Sequence, residues 1–188
     1  SLRLTPGHAQ AEMKALADDN YPNAHQYYVD GSPTASDVWT GSTWKTILVG
    51  GLGAGGKGFY ALDVTDPGSP TVLWEFTDAN MGYSFGNALI GKMTDGTWIV
   101  AVTSGYNNAD GVGRLYILDA NTGTLRYTIA TTGVGNAVTP SNLGKISGWV
   151  DDSLNDNTIQ RIYGGDMQGN LWRFDLNDQI APPGRDAV

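Results

Sequence analysis

The sequence contains no cysteine, so disulfides, thiolate zinc sites, iron–sulfur clusters and cysteine nucleophiles are all excluded. Histidine is almost as scarce. His8 and His25 are the only two, and they are far apart in the chain, so neither has a second imidazole beside it as a metal partner. Positive charge is also short, with 11 basic against 19 acidic side chains and a formal net charge of −8. A nucleic-acid binder needs a basic face to neutralise phosphates, and this balance argues against one. No run approaches the ~18 apolar residues of a membrane-spanning helix. The N-terminus shows no basic-then-apolar leader, so the expectation is either a cytosolic chain or one that begins downstream of a signal. No Gly-x-Ser-x-Gly elbow or paired-carboxylate arrangement is present, so neither nucleophilic nor general acid–base catalysis is expected.

What is present points to a globular, turn-rich chain. Hydrophobic residues make up 40% and charged ones 16% of the 188 residues, enough apolar side chain for a packed core and too little charge for a disordered tail. Glycine is the outlier at 26 residues, roughly twice the usual ~7%. It is dispersed without a triplet period, which indicates tight turns and excludes collagen.

Three similar segments organise the chain: Phe59-Tyr60-Ala61-Leu62-Asp63, Leu115-Tyr116-Ile117-Leu118-Asp119 and Leu171-Trp172-Arg173-Phe174-Asp175. Their closing aspartates are 56 residues apart in both intervals. A β-rich run ending in glycine precedes each, over Thr46–Gly51, Ile99–Gly105 and Arg161–Gly165, with the length and β-branched enrichment of strands. Further strands are expected over Val72–Thr77 and Leu125–Ile129, and weaker ones near Pro33–Val38, Asn87–Lys92 and Gly148–Asp151. The unit is thus a four-stranded antiparallel meander repeated at blade length, and the fold class is all-β, a β-propeller fragment. Blades fall at about 25–78, 83–132 and 136–178, within a partial propeller over 25–188. Propellers need roughly 4–8 blades, so three imply a piece of a larger ring. The competing reading is a small sheet assembly that completes itself by oligomerising through exposed edges. Ahead of the repeats, Ala9–Asp19 reads as a short helix ended near Asn20-Tyr21-Pro22, which makes 1–24 a helical insertion or inter-blade segment.

Several motifs invite a chemical reading. The cluster Gly51-Leu52-Gly53-Ala54-Gly55-Gly56-Lys57-Gly58 matches two phosphate-binding patterns, but both require a helix to follow. A strand follows instead, and Gly58 stands where magnesium binding needs Ser or Thr, so a strand-to-strand loop is expected. Asp63, Asp119 and Asp175 read as turn formers that accept backbone N–H groups. The stretch from Asp151 to Gln160 is the densest oxygen donor in the chain. Asp152, Asn155, Asp156, Thr158 (through its carbonyl) and Gln160 could serve a hard cation, which takes 6–8 oxygen ligands. A solvated turn competes with that reading, because Leu154 interrupts the alternation of donors and no glutamate supplies a bidentate end. Trp74 and Trp172 read as inter-blade packing, while Trp39 or Trp44 near a loop could cage a ligand.

The wording of the repeats resembles a known family. His25-Gln26-Tyr27-Tyr28-Val29-Asp30-Gly31-Ser32-Pro33, Trp44 through Gly56, Tyr60-Ala61-Leu62-Asp63-Val64-Thr65-Asp66-Pro67 and Gly165-Asp166-Met167-Gln168-Gly169-Asn170-Leu171-Trp172-Arg173-Phe174-Asp175-Leu176 closely resemble the PilY/PilC family of type IV pilus biogenesis proteins and tip-associated adhesins. The resemblance covers about residues 25–178. It implies a C-terminal β-propeller of a larger secreted protein. It further implies location at the cell surface, pilus tip, outer membrane or periplasm, partnership with minor pilins and the pilus machinery, and roles in pilus extension, retraction and attachment to host or abiotic surfaces. It also implies calcium, through a loop of pattern D-x-[DN]-x-[DN]-x-x-x-D ahead of Tyr163-Gly164-Gly165-Asp166. On that alignment the ligand positions fall on Asp152, Leu154, Asp156 and Gln160, so this chain departs from the pattern at the third and ninth.

The expectation is therefore a non-enzymatic pilus assembly and adhesion module that acts by protein–protein contact, with calcium modulation through the 152–160 loop. Exposed blade faces and edges also predict self-association. Two alternatives stand beside it. One is a quinoprotein-like dehydrogenase propeller, whose blade repeats are similar to Asp119-Ala120-Asn121-Thr122-Gly123. The other is a glycan-binding propeller using Trp39 or Trp44.

Overall fold

The computed structural model describes residues 14–177. Eleven strands occur among them: β1 Thr34–Trp39, β2 Trp44–Gly51, β3 Phe59–Asp63, β4 Thr71–Phe76, β5 Leu89–Lys92, β6 Trp98–Thr103, β7 Arg114–Asp119, β8 Leu125–Ala130, β9 Ile146–Trp149, β10 Arg161–Gly165 and β11 Leu171–Asp175. They form three sheets in the orders β1-β2-β3-β4, β5-β6-β7-β8 and β9-β10-β11. Every neighbouring pair is antiparallel. These are the blades the repeat implies. The first strands lie side by side from sheet to sheet, β1 against β5 and β5 against β9, as strands lining a propeller axis do.

Strand alternation sends successive side chains to opposite faces, and both faces of the middle blade are apolar. Val100, Val102, Tyr116 and Leu118 join Val38, Ile47, Val49, Phe59, Ala61, Trp74 and Phe76 of the first blade in one core. Ile99, Ala101, Leu115 and Ile117 join Ile146, Ile162, Trp172 and Phe174 of the third in another. A strand buried on both faces needs the unbroken apolar runs that β6 and β7 carry, and the cores sit between the blades rather than inside any one of them.

The repeat extends to irregularities. The β3–β4 register shifts between Ala61 and Leu62, and the β7–β8 register between Ile117 and Leu118. The bulge therefore recurs at matching places in two blades and re-aims the outer strand at its neighbour. Trp74, just past the first bulge, is only 6% exposed and donates its indole N–H to the carbonyl of Ala120 in the next blade at 2.9 Å.

Three expectations are adjusted. The first strand of the third blade lies at Ile146–Trp149 rather than 148–151. Ile146 is drawn into the second core. The Asn87 side-chain amide also clamps its backbone, donating to the Ile146 carbonyl and accepting from its N–H, both at 3.0 Å. Asp151 then falls past the strand and pairs with Arg161. The third sheet has three strands among the described residues, and 178–188 lie outside them. Of the helix expected over Ala9–Asp19, residues 9–13 also lie outside. Lys14 and Ala15 are helical, but the chain then tightens, with the Ala17 N–H on the Lys14 carbonyl at 3.1 Å and the Asp18 N–H on that of Ala15 at 3.2 Å. The Asp18 carboxylate accepts the N–H of Asn20 at 2.8 Å, a local bond that competes with helix, and a single 3₁₀ turn follows over Tyr21–Asn23.

Candidate functional site

The glycine-rich loop is a strand-to-strand connection, as its context implies. A short 3₁₀ turn, Gly53–Gly55, leads straight into β3. Its polar backbone groups are claimed by the protein: the Ser84 hydroxyl donates to the carbonyl of Gly58 at 2.7 Å and accepts the N–H of Leu52 at 2.9 Å. Glycine is required at position 55 because the Tyr28 carbonyl oxygen lies 1.6 Å from where a Cβ would stand. The loop thus receives the segment before β1, not a phosphate.

The repeated aspartates close turns. Asp63 accepts the Thr65 N–H and hydroxyl at 3.0 and 2.6 Å. Asp119 accepts the N–H groups of Asn121 and Thr122, both at 3.0 Å, and Asp175 accepts that of Asn177 at 3.0 Å. A fourth aspartate, Asp166, which periodicity did not single out, gathers more: Trp172 Nε1 at 2.8 Å, the Ser141 hydroxyl at 3.1 Å, Asn170 Nδ2 at 2.9 Å and the N–H groups of Gln168 and Asn170 at 3.0 and 2.9 Å. Burial raises its pKa, but the Trp172, Asn170 and Ser141 bonds outweigh that and leave it below the ordinary value.

These carboxylates make the fold acid-sensitive. Bonds from Lys45 and Thr65 hold Asp63 at about 2, and the Arg114 guanidinium holds Asp110 at about 2. An unfolded aspartate titrates near ~3.9, so both folded values are depressed. Their contribution is complete above about pH 4 and is lost as pH falls toward 2. Melting temperature is expected to drop between pH 4 and pH 2, and Asp63→Asn or Asp110→Asn to flatten that drop, by circular dichroism melts. The Asp63 side chain is 15% exposed and that of Asp110 41%, so solvent screens the Asp110 pair more and its effect is the smaller of the two. An identical acid profile in both variants would contradict the assignment.

The donors proposed for a cation lie on the hairpin between β9 and β10. The side chain of each already makes a hydrogen bond, that of Asn155 and Thr158 by donating to an aspartate. Asp152 accepts the Asn155 amide on both oxygens at 3.1 Å. Asp156 accepts the Thr158 hydroxyl at 2.6 Å and pairs with the Lys92 ammonium at 3.0 Å. Gln160 Oε1 accepts the N–H of Asp151 at 2.9 Å, and the Asp151 carboxylate takes both arms of Arg161 at 3.0 Å. Leu154, at the third ligand position, is 94% exposed. Among the described residues no three His, Asp or Glu side chains gather around one point. In this arrangement the residues do not fit a calcium ion. Lys92, which pairs with Asp156, carried no sequence signal for this loop, because it comes from the preceding blade.

The tryptophans divide as their positions imply. Trp74 and Trp172 lie in the inter-blade cores. Trp39 and Trp44 face each other across the β1–β2 hairpin with ring centroids 5.6 Å apart, and Trp44 meets Trp98 of the next blade at 5.5 Å. On the outer face of the third blade Trp149 and Leu171 are 53% and 75% exposed. The chemistry on offer is that of surfaces: saturated carboxylates, an aromatic cluster and open sheet faces.

Comparison with known proteins agrees with that character. The family model described as the PilY1 beta-propeller domain matches residues 7–186. The type IV pilus biogenesis factor PilY1 of Pseudomonas aeruginosa PAO1 is 41% identical over 156 residues, covering 81% of this chain and 13% of that protein. A PilY1 homolog of Xylella fastidiosa Temecula1 is 37% identical over 187 residues, covering 95% of this chain and 14% of the relative. The crystal structure of the P. aeruginosa PilY1 C-terminal domain superposes with a TM-score of 0.72 at 38% identity, covering 83% of this chain and 33% of that one. The chain therefore spans a small part of its relatives' length.

Proposed function

Because the chain belongs to the PilY1 family, we propose that it is a structural and contact-making part of a type IV pilus biogenesis factor, working in the cell envelope or outside the cell without catalysing a reaction. The observation that carries this reading is the match of a PilY1 propeller model to nearly the whole chain, residues 7–186, together with a relative named for pilus biogenesis at 41% identity. The site chemistry supports it. The carboxylates that recur in the blades hold turns, and Trp149 and Leu171 are exposed on the outer face of the third blade, open to a partner. Among the described residues no helix is long and apolar enough to cross a membrane, so on this reading the part acts alongside the pilus machinery rather than as a helical span within the bilayer.

The test is removal of residues 25–177 from the full-length protein in its own cell, with sheared surface pilin and surface motility as readouts. Surface pili and motility are expected to fall strongly while the pilin pool inside the cell persists. Normal piliation with the truncated protein exported at its usual level would overturn the reading. Dye-linked alcohol oxidation by the purified chain with pyrroloquinoline quinone and calcium would replace it with the dehydrogenase alternative.

A further inference from the structure

We propose that the ammonium of Lys92 is the cation of the β9–β10 hairpin, a tethered charge from the neighbouring blade that holds the loop in shape without a divalent ion. This goes beyond the pilus reading and depends on family membership only for the place where a calcium loop is expected.

Beyond the Asn87 clamp on β9, the loop of the hairpin is fastened to the middle blade at Lys92 and its neighbour Gly91. The Lys92 carbonyl accepts the Ile159 N–H at 2.8 Å, Lys92 and Thr158 form an isolated parallel bridge, and the Lys92 Nζ reaches the Asp156 carboxylate at 3.0 Å. Ile159 then drops into the second core directly over Gly91, where a Cβ would stand only 2.3 Å from its Cδ1. Lys92 thus supplies the backbone and side-chain contacts and Gly91 the space for the Ile159 anchor, and the loop conformation follows from that docking.

Two of the three carboxylates are neutralised locally. Asp156 has Lys92 and Asp151 has Arg161, while both Asp152 oxygens face the Asn155 amide. A calcium ion needs 6–8 oxygens, and reaching Asp156 would mean displacing an ammonium already in contact. The two departures from the family pattern agree with this. Leu154 is turned to solvent, and the Gln160 oxygen is spent on the Asp151 N–H. A built-in cation needs neither of the two missing ligands.

The test is a set of thermal melts of the whole chain in EDTA and in calcium chloride up to about 10 mM, above the 10⁻⁴–10⁻³ M range of extracellular calcium modules. The native chain is expected to melt at the same temperature throughout. Lys92→Met and Asp156→Asn should each lower the melting temperature, with the double variant no lower than the worse single one, because both remove the same contact. A saturable calcium-induced rise in the native chain that Asp156→Ala abolishes would overturn the proposal, as would fully additive losses in the double variant. Should Lys92→Met not fold, the charge swap Lys92→Glu with Asp156→Lys decides. Recovery relative to Lys92→Glu alone supports the contact, and no recovery rejects it.

Discussion

Tyr116→Ala is expected to remove about 3–5 kcal/mol of unfolding free energy, the range for deleting a fully buried aromatic ring. Tyr116 is 0% exposed at the centre of the core between the first and second blades, with its ring edge-on to Phe76 at 5.4 Å between centroids. Its hydroxyl donates to Asp78 at 3.0 Å, and burial, reinforced by the negative charge of Asp78, pushes its pKa well above the ordinary value. Whole domains are stable by only about 5–15 kcal/mol, so the substitution threatens the junction outright. Tyr116→Phe separates packing from polarity, because it keeps the ring and loses one bond to a charged acceptor, worth about 1.5–3 kcal/mol. Urea unfolding followed by tryptophan fluorescence measures both. A loss below about 1 kcal/mol for the alanine variant would mean that the blades do not depend on this junction, against the cavity range for a buried aromatic.

Gly123→Ala is expected to destabilise by about 2–5 kcal/mol, from two sources that add. The residue sits at φ +70, a left-handed conformation that costs an L side chain about 1–2 kcal/mol. A Cβ there would lie 2.6 Å from Cγ of Trp74, and forcing an indole out of a packed core costs typically about 1–3 kcal/mol. The turn holds this geometry firmly, since the Gly123 N–H donates to the Asp119 carbonyl at 2.9 Å and the Asp119 carboxylate accepts the N–H groups of Asn121 and Thr122. Gly41→Ala is the control, because that glycine has φ +94 with nothing within 4 Å of the added carbon. It should show the backbone cost alone. A red shift of tryptophan emission is expected in Gly123→Ala and not in Gly41→Ala. Equal losses in the two variants would reject the contact with Trp74.

The same glycine shows how much of the molecule could be read in advance. Asp119-Ala120-Asn121-Thr122-Gly123 announces a turn in any context, because Asp accepts nearby N–H groups and Gly takes positive φ. Nothing in the five residues says that Trp74, 49 positions earlier, packs on that glycine. The cation loop shows the same limit. The acidic run from Asp151 to Gln160 is plain from composition, and so are the two departures from the family pattern. Whether its carboxylates converge depends on what reaches them from outside the run, and Lys92 arrives from a strand that sequence marks only as weak.

By itself, the sequence determined the period of 56, the strand-turn-strand content of each unit, the turn role of the repeated aspartates and the family. All of these rest on local chemistry: alternation, β-branched runs, and Asp and Gly in turns. Only the tertiary structure decided which blade faces meet, where β9 begins, and which partner each aspartate of the β9–β10 hairpin takes. Those choices depend on side chains far apart in the chain. The Asn87 amide clamps Ile146, Tyr116 reaches Asp78, and Lys92 reaches Asp156, pairings that exist only once one blade is packed against the next.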